Sequence, residues 1–430
     1  MSSLRERLRR VRGETAPGAG GDTPTEASCT RPSLSERLKR LGTARRGAPE
    51  PDPEPAPVSA RPPTAAATPD RAHDEASLAA ALGAERLAPG VLRVTHSRPL
   101  ALAHGRCALH PDPGAVTLLQ PDAPADPAGW VALDTETSGL AGGTGTWVFV
   151  VGLARWHLHR LELVQYLLTR LDAEAALLAQ VKTDLAAAEL LLSYNGKSFD
   201  LPLLAARLRL TRLADTASDL PHLDLLHPVR RAFAGVWPDC RLASVERFLL
   251  SHERADDLPG AEAPAAWLDW LRRGDGRRLG AVLAHNRVDL LSVAALPARL
   301  AAAHRTPAAH GGDVLRIARW RLAAGDSAGA RQLLAAAPAL DAPARHLLAR
   351  LHLRTGDWCA ALSLWEPLAA DGDAGALEAL AKHYEHRAKD PRRALAYARA
   401  LPAGPDTEHR CRRLMDKAQG NLGPHPDWIE

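Results

Sequence analysis

At 430 residues the chain is too long for one typical core, so its length predicts two or three domains. Its hydrophobic fraction of 46% is ordinary for a globular protein, and no apolar run of roughly 18 residues or more predicts a membrane span. A net charge of +4 permits an anionic partner without requiring one, and five scattered cysteines with no CxxC pair argue against a zinc ribbon or a disulfide framework.

The chain begins "MSSLRERLRRVRGE", which is basic but lacks the apolar core of a secretory signal, so a cytoplasmic location is the default expectation. Residues 1–75 are rich in Pro, Ala, Gly, Thr and charge, and such composition buries too little apolar surface to order a chain. Within them "SLRERLRRV" (Ser3 to Val11) recurs as "SLSERLKRL" (Ser33 to Leu41), with Leu4 and Leu8, and Leu34 and Leu38, four apart among basic residues. A Ser N-cap and this spacing predict short basic amphipathic helices; a docking motif and a chance charged run explain them equally well.

Residues 76–305 read as mixed α/β. "WVALDTE", "TWVFVVGLARW" and "LELVQYLLTR" are three strands joined by short polar turns. "DAEAALLAQVKTDLAAAE" then shows helical spacing through Ala176, Leu177, Val181 and Leu185. "LLLSYNG" is a strand ending in a turn, "SFDLPLLAARLRL" a helix from Ser198, and "PHLDLLHPVRRAF" a strand passing into a basic segment. "LASVERFLL" and "GRRLGAVLAHNRVDLLSVAALPARL" are helices. An antiparallel meander followed by parallel αβ units predicts a mixed sheet flanked by helices, the ribonuclease H-like plan.

Residues 306–430 read as helices with short loops. Turns at Gly325–Asp326, Gly356–Asp357 and Lys389–Asp390 recur at offsets of 31 and 33, each followed by a small residue (Ala330, Ala361, Ala394). That is close to the period of tetratricopeptide-type repeats; an ordinary helical bundle is the plainer reading.

Asp134 and Glu136 stand two apart on the first strand of the meander, so both side chains share one face. Two neighbouring buried carboxylates repel unless a cation lies between them, and oxygen ligation suits Mg²⁺ or Mn²⁺. Asp200 follows a later strand, and Asp289 lies on a late helix with His285 one turn before it. The patch "GLAGGTG" after Glu136 lacks the lysine of a Walker A loop and leads into a strand, not into the helix that a dinucleotide fingerprint requires.

The motifs "DTETSGL", "YNGKSFDLP" and "HNRVD" resemble the DEDD superfamily of nucleases with a ribonuclease H-like fold. The likeness is closer still to its YprB-type bacterial branch, through "YNGKSFD" and "HLDLLHPVRR", and members of that branch can carry a helical repeat tail. It covers roughly residues 85–300 well. The resemblance implies that Asp134, Glu136, Asp200 and Asp289 hold two divalent ions and hydrolyse phosphodiester bonds in single-stranded DNA or RNA, as a 3′-to-5′ exonuclease. It also sets His285 in the register that some relatives fill with Tyr; a general base, a positioning group and an ordinary helix residue are its three readings. Substrate contacts are expected from Thr137, Ser138 and Gly139 in the loop after the first acids, from Asn195, Lys197 and Ser198, and from Arg230 and Arg231. Asn195–Gly196 reads equally as a plain turn, Asp224 as a support for the metal ligands or a solvent-facing residue, and His222 and His227 as added positive charge or part of a solvated face. The repeats suggest a protein partner. A nuclease-like scaffold that binds nucleic acid without cleaving it is the alternative function.

Overall fold

The computed structural model describes residues 74–139, 145–255 and 257–420. The two N-terminal basic motifs and most of the glycine patch lie outside the described residues. These described residues belong to one compact unit.

A seven-stranded sheet has the order β1-β2-β7-β6-β5-β8-β9. The predicted strands are β5 (Trp130–Thr137), β6 (Val148–Trp156), β7 (Arg160–Leu168), β8 (Leu190–Ser193) and β9 (His222–Asp224). The meander β5-β6-β7 is antiparallel, while β8 joins β5 and β9 joins β8 in parallel. Two strands of this sheet were not expected: β1 (Glu85–Ala88) and β2 (Val91–Pro99), which extend the meander through antiparallel pairing of β2 with β7. Both faces of the sheet are covered, so β5 is an apolar run instead of an alternation. Trp130 and Ala132 belong to one core, Val131 and Leu133 to the other.

Helix α1 (Glu75–Leu82) precedes β1, and the small β3–β4 hairpin (Ala103–His104 with Cys107–Ala108) and α2 (Pro113–Leu119) lie between β2 and β5. Further helices are α3 (Glu174–Leu185), α4 (Asp200–Leu210), α5 (Leu226–Phe233), α6 (Leu242–Val245), α7 (Ala263–Arg273) and α8 (Leu279–Arg305). Helix α4 starts two residues later than the sequence predicts, because 194–199 form a turn held at Asn195 in the left-handed region (φ 68°). After α6 the chain makes a π-helical turn, Glu246–Leu250. Helix α8 is long and apolar enough to cross a membrane, yet Leu290, Val293, Leu296 and Leu300 on it are fully buried in the core.

The C-terminal region is helical. It comprises α9 (Val314–Ala323), α10 (Ser327–Ala335), α11 (Ala342–Arg354), α12 (Trp358–Ala370), α13 (Ala374–His386), α14 (Pro391–Arg399) and α15 (Pro405–Gly420). The turns at 325, 356 and 389 share one design. A residue with positive φ (Gly325, Gly356, Lys389) ends the first helix, and the next Asp caps the second: Asp326 accepts from Gly329 N–H, Asp357 from Ala360 and Asp390 from Arg393. Ala330, Ala361 and Ala394 are fully buried, so their smallness lets the paired helices close. Ile317, Leu334 and Leu348 share a core with Phe233, Leu300 and Ala303, whereas Trp365, Leu377, Tyr384 and Leu414 form a second one.

Candidate active site

The site stands at the carboxyl ends of the parallel strands β5 and β8, the usual location of a ligand crevice in such sheets. A cavity of about 550 Å³ is lined by Asp134, Glu136, Thr137, Ser138, Gly139, Tyr194, Asn195, Phe199 and Asp200, and opposite by Gly260, Ala261 and Pro264. The structure therefore brings three of the predicted acids into one pocket. Asp289 joins them from α8: a carboxylate oxygen of Glu136, one of Asp289 and a nitrogen of His285 lie within 4.8 Å of one another.

Each acid is held differently. Asp134 pairs with Gly152 across β5 and β6 and accepts from Asn286 Nδ2 at 2.7 Å. Asn286 in turn accepts from Gln165 Nε2 at 2.7 Å, and both side chains are fully buried. Only glycine fits at 152, because a β-carbon there would lie 2.2 Å from Asn286 Oδ1. Asp200 opens α4 and accepts from the hydroxyl of Thr135, which stands between Asp134 and Glu136. Asp289 is gripped by Arg254 Nη2. The same guanidinium forms two 2.7 Å bonds to the buried Glu246 and one of 2.9 Å to Asp257.

Asp257 also fixes the imidazole. His285 Nδ1 lies 2.8 Å from Asp257 Oδ2, which directs Nε2 toward Asp289 Oδ2 at 3.6 Å. Nδ1 is approached by Asp257 and, at 3.1 Å, by Arg254 Nη1; paired with the Asp257 carboxylate it carries the proton, which leaves the Nε2 lone pair on the side of the acids. Gly260 leaves the space beside Nε2 open; a β-carbon would approach it to 3.3 Å.

Charge in the pocket is unbalanced. Burial first, then Asp289, Asp200 and Glu136, holds Asp134 well above the usual carboxylate range. Burial and the charges of Asp289 and Asp200 push Glu136 up to about 8. Burial lifts Asp200 to about 6 against the pull of Thr135. It raises Asp289 too, even beside Arg254 and His285. Burial opposes the ionised form of Asp257 as well, but Arg254 and His285 outweigh it and hold that group below its usual value. Four convergent carboxyl groups whose pKa values are all raised for want of positive charge fit a hard divalent cation, whose binding would favour their ionised forms.

The remaining predicted residues separate. Thr137, Ser138 and Gly139 line the pocket, with Ser138 pinning the loop stem: its Oγ accepts from Trp147 N–H, and its own N–H donates to the Trp147 carbonyl. Asn195 lines it as well. Asp224 is buried and accepts from the N–H groups of Asn195, Lys197 and Leu226, so it shapes the 195–197 turn and faces no solvent. Ser198 is exposed, and Lys197 borders a different cavity with Arg209 and His222. His222 bonds Ser193 Oγ at 2.7 Å, and burial lowers its pKa to about 4, so it is neutral at pH 7 and supplies no positive charge. Arg230 is exposed on α5, away from the acids' cavity. Arg231 stacks over Trp320 of α9, 4.6 Å from the ring centre, and so serves the junction with the tail. Asn286, Arg254 and Asp257 were not anticipated. Asn286 lies inside the "HNRVD" motif, where its position one turn from Leu290 on the sheet-facing side was a readable signal; Arg254 and Asp257 sit in a loop without periodicity.

Comparison with known proteins agrees with this geometry. Residues 131–301 match the RNase H superfamily. The chain is also 31% identical over 280 residues to the uncharacterized protein YprB of Bacillus subtilis (strain 168), an alignment covering 62% of this chain and 67% of that protein. The chain belongs with YprB in one family and carries an RNase H superfamily domain. A domain of the RNase H superfamily suggests a nuclease, and the matched span runs from β5 into the last turns of α8, taking in all four acids.

Proposed function

We infer that the protein is a metal-dependent nuclease that hydrolyses phosphodiester bonds in single-stranded DNA or RNA, working from the 3′ end. The observation that carries this reading is the convergence of Asp134, Glu136, Asp200 and Asp289 at one buried pocket with too little positive charge to ionise them all. These four acids would hold Mg²⁺ or Mn²⁺, two ions in all; when bound, the ions would lower the pKa of a coordinated water and offset charge developing on the phosphate. His285 takes the proton of the attacking water at Nε2, since Nδ1 is engaged by Asp257. Asn286 fixes the rotamer of Asp134, and Arg254 fixes that of Asp289. The 137–139 loop stem and Asn195 border the pocket where the strand end enters.

The retention of all four acids favours this reading over a scaffold that only binds. The test is digestion of single-stranded DNA and RNA, labelled at either end, with Mg²⁺, Mn²⁺ or EDTA. A metal-dependent ladder that shortens from the 3′ end is expected. Absence of cleavage on every strand and metal tried would favour the scaffold, and a ladder from the 5′ end would reverse the polarity.

A further inference from the structure

Helices α9 and α11, the first members of two successive tail pairs, have the sequences "VLRIARWRLA" and "APARHLLARLHLR". Each carries three arginines and neither contains an acid: Arg316, Arg319 and Arg321 on one, Arg345, Arg350 and Arg354 on the other. A cavity of about 540 Å³ runs across the first helices of three pairs, with Arg319, Arg350 and Lys382 contributed by α9, α11 and α13 in turn. Arg319 and Arg350 are exposed. Glu378, the acid of this groove, is occupied by Lys382 at 2.8 Å and Arg410 at 3.2 Å, so the surplus charge is positive. The floor is fixed: Trp365 Nε1 donates to His346 Nδ1, and His346 Nε2 bonds Asp373 at 2.8 Å. One end of the series meets the nuclease domain, because Arg316 donates to the carbonyl of Arg230 on α5, the helix that follows Asp224.

We propose that this groove binds the phosphodiester backbone of a single-stranded nucleic acid, and that Arg319 and Arg350 each contact a phosphate. Cations repeated once per helix pair along a groove whose acid, Glu378, is already paired suit a polyanion whose charges also repeat, and a groove set in this way tracks a backbone without reading its bases. The proposal rests on the nuclease reading for its ligand. It assigns the tail a part in holding substrate.

The experiment is fluorescence anisotropy with the full chain and a labelled single-stranded oligonucleotide in EDTA, over a range of salt. The double variant Arg319→Gln/Arg350→Gln changes two exposed side chains. It is expected to bind about tenfold more weakly, with a log K against log salt slope less steep by about 1.4, the value for two lost phosphate contacts on a single strand. Arg392→Gln, an exposed arginine on the second helix of a pair, is expected to change neither quantity. Equal affinity and slope in the double variant and the wild type would overturn the groove and leave the nuclease reading intact. A wild-type chain that binds no nucleic acid would overturn both. Loss of binding to polyglutamate with oligonucleotide binding unchanged would overturn the groove in favour of an acidic protein partner.

Discussion

In the tail, Asp326, Asp357 and Asp390 face the N–H groups of the helices they start, whereas Asp134, Glu136 and Asp200 face one another. The residue type is nearly the same and the physics opposite. A capping aspartate meets a partial positive charge supplied by the backbone and contributes to folding. A pocket carboxylate meets other carboxylates and opposes folding unless it keeps a proton or a cation offsets its charge. Regular structure is thus built where acids are satisfied locally, and chemistry is set where they are not.

The sharpest break in that comparison is Asp134→Asn. Cleavage should fall by about 10³-fold or more, since several kcal/mol of charge stabilisation are lost. Thermal melting without metal should hold steady or rise, because one repelling charge is gone; unchanged cleavage in purified protein would sink the metal-site assignment. Next in size is removal of the tail at residue 305. The cut strips Ile317, Ala318 and Leu334 from the core they share with Phe233 and Leu300, so the shortened chain should lose several kcal/mol in urea unfolding. Melting equal to that of the full chain would show the two regions to be independent.

Asn286→Ala should slow cleavage by about 10- to 100-fold, the usual cost of losing the partner of a metal ligand. Steady-state rates over a metal titration would measure it, and wild-type rates at every metal concentration would deny Asn286 its positioning role. The pocket should also reveal itself through pH. The folded-state pKa of Glu136 is raised to about 8, so between its unfolded value and 8 the native state holds a proton that the unfolded chain has released. In EDTA, stability should therefore rise as pH falls from 8 to 6.5, and Glu136→Gln should flatten that slope. Below 6.5 the buried His222 and His304, both lowered to about 4, act in the other direction, since they charge on unfolding. Mg²⁺ should raise the melting temperature more at pH 8 than at 6.5. The smallest effect belongs to the tail: Asp357→Ala should cost about 1 kcal/mol, the worth of one cap, and leave turnover unchanged.

Much of this was legible in the sequence because the two sides of the comparison use strong local signals. β5, β6 and β8 are apolar runs bounded by turns, β7 alternates, and a Gly-Asp or Lys-Asp turn followed by a small residue marks the helix pairs. β1 and β2 escaped because "ERLAPGVLRVTHSRP" mixes charge with Pro and Gly and is stabilised by pairing with β7, more than 60 residues away. The four acids were found by their motifs. What orients them was not, since Arg254 lies 35 residues before Asp289 in the chain and meets it only through folding. Arg230 and Arg231 looked alike in sequence, but adjacent positions on a helix point apart, and one stays in solvent while the other packs on Trp320.

The shared core between α8 and α9 has a further consequence. With Ile317 seated among Leu300, Ala303 and Phe233, the first helix pair is fastened to the sheet domain without a spacer. If the groove and the acids hold one strand, the span between them would act as a built-in ruler. Strands too short to reach both ends should be held by one alone, so affinity plotted against nucleotide length should climb in a step at the length that bridges them.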